Sequence, residues 1–173
     1  MTKIIMLMSP AGGAKSVISQ YLLTHHNNAI EVNYKLFAKA GKYFSDSYKY
    51  KHFYNMINYY IKIYDYVIIN DYNVTKEQRQ KFYKNVNLDK HELIGIWIEI
   101  PMHLAKERNE SKHSQYKVST QFLEDTFRYA VSPTKEEPFD DIIYISKQDI
   151  KNGIGIQKSN PTIQDIYDIL DKI

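Results

Sequence analysis

The chain has 173 residues, with 23 basic and 20 acidic side chains and a formal net charge of +3 at pH 7. This length suits one domain with a sizeable core, so we expect a single domain over residues 1–173. The absence of cysteine excludes disulfides and cysteine-ligated metal sites and fits a reducing compartment. No apolar run approaches the roughly 20 residues of a membrane span, and the short apolar start does not resemble a signal peptide. We therefore expect a cytoplasmic protein that does not enter a membrane.

Apolar runs alternate with segments of helical spacing along the chain, which predicts alternating strands and helices. The predicted strands cover residues 3–8, 29–33, 66–70, 93–100 and 141–146. The predicted helices cover residues 16–24, 48–64, 75–83, 102–109, 119–129 and 162–173. Thr75 and Ser119 are the expected N-caps of two of them. The alternation predicts an α/β fold with a mainly parallel sheet flanked by helices, in which ligands bind at the carboxyl ends of the strands.

A glycine-containing loop follows the first predicted strand, where Ser9 to Ser16 run Ser-Pro-Ala-Gly-Gly-Ala-Lys-Ser. Backbone N–H groups in such a turn and at a helix N-terminus converge on phosphate oxygens. Lys15 would add a positive charge, and the Ser16 hydroxyl would bind Mg²⁺. The usual G-x-x-x-x-G-K-[ST] pattern has glycines where this chain has Ser9 and Ala14, so a plain strand-to-helix turn is the alternative. The candidate phosphate-binding residues are Pro10, Ala11, Gly12, Gly13, Ala14, Lys15, Ser16 and Val17.

The third predicted strand ends at Asn70, and the carboxylate of Asp71 follows directly. In phosphoryl-transfer enzymes a carboxylate at this place lies beside the metal ion and the attacking group. The alternative is that Asp71 only starts a turn, which is common at strand ends.

The segment from Asp71 to Arg79 has the spacing D-x-N-x-x-x-E-x-R. It resembles a segment of the polynucleotide kinase family of small P-loop kinases. The whole resemblance to that family covers the chain from Lys3 to about Ile145. The further matching positions are Ile98 to Pro101, Arg108, Asn109, Val118, Phe122, Leu123, Phe127, Arg128, Pro133, Glu137, Phe139, Asp140 and Ile142.

This resemblance implies a three-layer P-loop NTPase fold of the nucleotide-kinase type. It also implies transfer of the γ-phosphate of ATP to the 5′-hydroxyl end of DNA or RNA. Lys15 and the loop would hold the phosphates, while Ser16 and Asp71 would bind Mg²⁺. Arg108 and Lys112 would belong to a lid, at about residues 110–118, that closes over the phosphates.

The sequence departs from the family at the end of the second predicted strand. The family has an aspartate there that accepts the proton of the attacking hydroxyl, whereas this chain has Asn33, an amide without useful basicity. Glu31 lies on the same strand face and is the nearest carboxylate substitute. The family's basic residue for the nucleic acid phosphate matches Leu36, which leaves Lys35 or Lys39 as replacements. Asn33 as a simple cap is the alternative.

Tyrosine is abundant, with 16 residues, and several tyrosines alternate with lysines between residues 42 and 62. This pattern would suit a single-stranded nucleic acid, although core packing explains many of the same tyrosines. Two other functions stay open from the sequence. One is a kinase of a nucleoside, a nucleotide or another small molecule, and the other is a non-catalytic module that binds nucleotide or nucleic acid. The sequence also leaves the oligomeric state open, including a homo-oligomer.

Overall fold

The strands of the protein form one parallel sheet. A computed structural model describes residues 1–13, 15–40 and 44–145. In this part of the chain the sheet has five strands in the order β2-β3-β1-β4-β5. The strands are β1 (Lys3–Met8), β2 (Ala29–Asn33), β3 (Tyr66–Asn70), β4 (Glu92–Ile98) and β5 (Asp141–Ile145). These bounds confirm the predicted strands to within two residues at each end.

Helices connect the strands. They are α1 (Lys15–His25), α2 (Tyr34–Ala40), α3 (Asp46–Tyr60), α4 (Lys76–Asn85), α5 (Met102–Glu110) and α6 (Thr120–Arg128), with a short 3-10 helix at Ser114–Tyr116. The predicted caps are present, since the side chains of Thr75 and Ser119 accept backbone N–H groups at the starts of α4 and α6. Ala14 and the predicted helix at 162–173 lie outside the described residues.

The helices cover both faces of the sheet, which gives three layers. Ile4, Met6 and Met8 of β1 point to one face and belong to a buried cluster that contains Phe53 and Ile57 of α3. Ile5 and Leu7 point to the other face and belong to a cluster with Ile18 and Leu22 of α1. This alternation follows from the two-residue period of a strand, and burial on both faces explains why β1 is apolar throughout.

The order of the strands fixes the position of a crevice. Strand β1 lies between β3 and β4, and the chain passes to opposite sides of it in its two halves. In open parallel sheets a ligand site forms outside the carboxyl ends of the strands at such a switch point. The loop after β1 and the residue after β3, Asp71, both emerge there.

A buried ion pair joins two of the sequence segments that resemble the kinase family. Arg79 of α4 is fully buried, and its Nε and Nη2 donate to the two carboxylate oxygens of Glu137 at 2.7 and 2.8 Å. Its Nη1 donates to the backbone oxygens of Asn73 and Val131. Arg79 therefore ties the segment after Asp71 to the segment before β5, and its place in the pattern reflects this structural role.

Helix α2 is the described helix that the sequence does not predict. It begins at Tyr34, directly after β2, and Asn33 is its cap, because the Asn33 Oδ1 accepts the N–H groups of Lys35 and Leu36 at 3.0 and 3.4 Å. None of the helices in the described ranges is both long enough and apolar enough to cross a bilayer.

Candidate active site

The loop after β1 owes its conformation to two glycines. Gly12 has φ +85°, a backbone conformation that side chains rarely allow, and a Cβ there would lie 3.0 Å from Ala105. At Gly13 a Cβ would lie 1.4 Å from the Oγ and 2.6 Å from the Cβ of Ser9, which is fully buried. Ser9 therefore occupies the space that a side chain at position 13 would need.

Helix α6 contacts the loop after β1 and holds it in place. The backbone N–H of Ala11 donates to the Thr126 Oγ1 at 3.0 Å in a buried contact. Ala11 also packs with Ala105 and Leu123 in a small buried cluster. The loop is thus held on a side chain that lies far away in the sequence.

Lys15, the first residue of α1, folds back over the loop. Its Nζ donates to the backbone oxygen of Ser9 at 2.8 Å and approaches that of Pro10 at 3.5 Å. Burial and, to a smaller extent, the nearby charge of Lys112 lower the pKa of Lys15 to about 7, against the opposing effect of Asp71. An anion that entered the cleft would favour the charged form of this amine.

Asp71 directly follows β3 and lines the same cleft as Lys15. Its Oδ1 accepts the N–H of Tyr72 at 2.8 Å. Burial raises the pKa of Asp71, while the Tyr72 N–H and the charge of Lys15 act in the other direction. A half-buried carboxylate with raised proton affinity is suited to accepting a proton.

Helix α5 brings further positive charge to the loop. The Nη1 of Arg108 donates to the backbone oxygen of Gly12 at 3.3 Å. The side chain of the next residue, Asn109, donates to the Val118 oxygen at 2.8 Å and accepts the Val118 N–H at 3.0 Å. This double contact closes residues 110–117 into a loop at the place where the sequence predicts a lid.

Lys112 in this loop and Lys35 of α2 face the same cleft. Burial and, to a smaller extent, the charge of Lys35 lower the pKa of Lys112. The Lys35 Nζ also donates to the backbone oxygen of Tyr116 at 3.4 Å, so α2 contacts the predicted lid. Two lysines that repel each other across a cleft favour an anion between them.

These groups surround an open cleft of about 600 Å³ at the carboxyl ends of the strands. This volume is ordinary for a small-molecule site, which spans roughly 300–1,000 Å³. Its polar and charged lining residues are Lys15, Ser16, Asn33, Lys35, Asn70, Asp71, Glu99, Arg108, Ser111 and Lys112. The cleft also has an apolar lining, in which Ile98, Ile100, Pro101 and Ile145 lie at or just after the ends of β4 and β5, and Leu104 belongs to α5.

The structure brings most of the predicted site residues together. Ala11, Gly12, Gly13, Lys15, Ser16, Val17, Asn33, Asp71, Arg108 and Lys112 all line the cleft. Pro10 is buried beneath the loop, where its oxygen accepts the N–H of Gly13 at 3.2 Å. Ala14 lies outside the described residues. Sequence reasoning did not single out Tyr72 and Thr126, because their contacts with the loop are visible only in the folded chain.

Asn33 lines the cleft, but its side chain is engaged. Its Oδ1 accepts two backbone N–H groups of α2, and its Nδ2 donates to the Glu31 Oε1 at 3.3 Å. The same Glu31 oxygen accepts a hydrogen bond from Asn70. Glu31 therefore orders the two amides at the ends of β2 and β3.

The oxygen ligands present fit a magnesium ion. Within the described ranges no group of three or more His, Cys, Asp or Glu side chains is placed to hold a metal. Mg²⁺ is commonly held by one or two carboxylates and by the phosphates of the substrate. The Ser16 hydroxyl and the Asp71 carboxylate, both at the cleft, would supply such ligands.

Solved structures with similar folds include kinases. A fungal RNA kinase is 12% identical, with a TM-score of 0.67, over 98% of this chain and 82% of that chain. A sugar kinase from Janibacter sp. is 11% identical, with a TM-score of 0.67, over 99% and 94%. The chain shares the three-layer α/β fold of these kinases. A chain of the Pnkp1/Rnl/Hen1 RNA repair complex is 16% identical, with a TM-score of 0.59, over 78% of this chain.

The present chain spans only 50% of the length of that RNA repair polypeptide. No protein-family model and no curated protein sequence matches the present chain. At these low identities the structural comparisons establish the three-layer α/β fold alone.

Proposed function

We propose that the protein transfers the γ-phosphate of ATP to the 5′-hydroxyl end of a nucleic acid. The observation that carries this proposal is the convergence of Lys15, Arg108 and Lys112 on one cleft that Asp71 also lines. Phosphoryl transfer depends mainly on alignment and on charge neutralisation, and these side chains provide both. Two of the similar structures are named for RNA repair and as an RNA kinase, which supports the proposal.

In the reaction the acceptor oxygen bonds to the γ-phosphorus, the bond from that phosphorus to the bridging oxygen of ADP breaks, and the hydroxyl proton moves to a base. We assign the base to Asp71, because the Asn33 amide is engaged and lacks basicity. Lys15 and Arg108 hold the phosphates over the loop, and Lys112 closes from the predicted lid. A bound Mg²⁺ would neutralise charge on the phosphates. Of its two possible protein ligands, Ser16 would hold it in this scheme, because a carboxylate bound to the ion would lose the proton affinity that a base needs.

The surface after β2 favours a polynucleotide acceptor. Residues 34–64 contain six lysines and one acidic residue. Phe44 and Tyr48, four residues apart, are 55% and 45% exposed, and their ring centroids are 4.7 Å apart. Exposed aromatic rings stack on unpaired bases while lysines neutralise phosphates. In contrast, Phe53 and Tyr54 are buried, so part of the tyrosine-rich segment serves the core.

A small-molecule kinase is the second candidate, and the sugar kinase with its nearly complete coverage favours it. A third candidate is a kinase that has lost activity. It is favoured by the substitutions at Ser9, Ala14 and Asn33, whereas retention of Lys15, Ser16 and Asp71 opposes it.

The deciding experiment follows labelled γ-phosphate onto a panel of acceptors: 5′-hydroxyl DNA and RNA oligonucleotides, nucleosides, gluconate and other sugars. We expect label on an oligonucleotide, its loss in Asp71→Asn, and normal transfer in the matched control Asp89→Asn, which changes an exposed loop residue. Label on a nucleoside or sugar alone would establish the second candidate.

Nucleotide binding is tested separately. Mg-ATP should raise the melting temperature of the protein, and Lys15→Ala should abolish the shift while Lys84→Ala, an exposed change, leaves it intact. Binding without transfer to any acceptor would support the inactive kinase, and the absence of a shift in the parent protein would reject the nucleotide site and with it both active-kinase candidates.

A further inference from the structure

Tyr72 contacts the phosphate loop, Lys15 and Asp71 at once, although the family pattern specifies no residue type there. Its ring centroid lies 4.8 Å from the Lys15 Nζ. Its backbone N–H donates to Asp71, and its backbone oxygen accepts the N–H of Ser9 at 3.3 Å. Tyr72 also lines the cleft.

The Tyr72 ring is held in place from behind. It meets the ring of Phe122 on α6 edge-on, with centroids 5.3 Å apart and planes at 67°. It also packs against the buried cluster of Ala11, Ala105 and Leu123. Hydrogen bonds to Asp71 and Ser9 fix the Tyr72 backbone, and Phe122 and the buried cluster fix its ring. Tyr72 therefore forms a rigid wall of the cleft.

The Lys15 ammonium lies between this wall and the loop. Its Nζ donates to the Ser9 oxygen at 2.8 Å, and the ring lies nearby. A lysine has a long stem with many rotamers, so ordering it for a ligand costs conformational entropy. A cation held by an aromatic ring has already lost that freedom before the ligand arrives.

We propose that Tyr72 is a positioning residue that holds the Lys15 ammonium over the loop, preorganised for an incoming polyphosphate. The inference rests on the proposed function insofar as the polyphosphate is that of a nucleotide. Its structural part, the contact between ring and ammonium, stands without any ligand. Tyr72→Phe should preserve the effect because the ring remains, and Tyr72→Leu should abolish it.

The first test needs no nucleotide. In protein with ¹³C-labelled lysine, the ring should shift the Lys15 Cε protons upfield, and the Lys15→Met variant identifies the signal. We expect this shift to persist in Tyr72→Phe and in the control Tyr129→Leu, which changes a tyrosine that is 58% exposed. It should disappear in Tyr72→Leu, or in Tyr72→Met if the leucine variant unfolds. An unshifted Lys15 signal in the parent protein, or a shift that survives removal of the ring, overturns the inference.

The second test is a double-mutant cycle on the binding of a non-hydrolysable ATP analogue. We expect Tyr72→Leu to weaken binding about 2- to 30-fold, as loss of a cation–π contact implies. In the Lys15→Met background the same change should have no further effect, whereas a merely structural role would give equal losses in both backgrounds. If the parent protein binds no analogue, the proposed function fails and the ring-shift test still decides the role of Tyr72.

Discussion

Removal of the Glu137 carboxylate should destabilise the fold strongly. Glu137→Ala removes hydrogen bonds from Arg79, from the Tyr83 hydroxyl at 2.9 Å and from the Thr134 N–H at 3.1 Å. It leaves the guanidinium of Arg79, which is fully buried, without its counter-charge. Breaking a buried pair in this way costs about 3–5 kcal/mol. At about 2–4 °C per kcal/mol for a domain of this size, the melting temperature should fall by roughly 6–20 °C.

The measurement is thermal and urea unfolding of the parent and of the variant. The control is Glu124→Ala, which breaks a surface pair with Lys106 and should cost at most about 1 kcal/mol. Replacing both partners, as Arg79→Met with Glu137→Leu, should recover much of the loss, since neither charge is then left buried. If Glu137→Ala were within about 1 kcal/mol of the parent, the pair would not stabilise the fold as we argue.

The pH dependence gives an independent check on the same pair. Burial by itself raises the pKa of Glu137, but the hydrogen bonds from Arg79 and Tyr83 outweigh it and hold the pKa below its ordinary value of 4.5. A carboxylate whose pKa is lowered by folding stabilises the protein above its unfolded pKa. The stability difference between parent and Glu137→Ala should therefore be full above pH 4.5 and should shrink as the pH falls through the folded pKa.

Three further predictions concern the loop. Gly13→Ala should destabilise the protein by about 1–3 kcal/mol in denaturant unfolding, and a Ser9→Gly background should relieve most of this loss; equal losses in both backgrounds would contradict the packing. Because folding lowers the pKa of Lys15 to about 7, parent stability should rise with pH from about 7 to 10, and Lys15→Met should flatten this slope. Thr126→Val should cost about 1–3 kcal/mol by leaving the Ala11 N–H unpaired, whereas Thr126→Ser should retain it; equal effects would refute the hydrogen bond.

Strands β1 and β3 were predictable because burial on both faces leaves an apolar run, and both have the predicted bounds. Strand β2 also has the predicted bounds, although only Val32 in it is buried. Helix α2 was not predictable in the same way. It starts directly at Tyr34, and the residue that caps it, Asn33, attracts attention as a possible site residue. A strand that passes into a helix without a connecting loop provides no composition change to detect.

The lining of the cleft was predictable where the residue type alone drew attention, as with Lys15, Asp71 and Arg108. It was not predictable where a residue acts through a distant contact. Thr126 supports Ala11 across 115 residues of sequence, and such a pairing follows from packing alone. The role of Tyr72 likewise depends on where the Lys15 side chain lies.

The contact between Ser9 and Gly13 has a consequence for the recognition of such loops in other proteins. In the usual pattern the first position is glycine and the fifth is unrestricted. Here the Ser9 side chain, at the first position, fills the space beside the fifth position. Glycine is therefore required at the fifth position, Gly13, instead of at the first. The two positions should covary across relatives, and a search profile that accepts serine at the first position when glycine occupies the fifth would recover proteins that the standard signature overlooks.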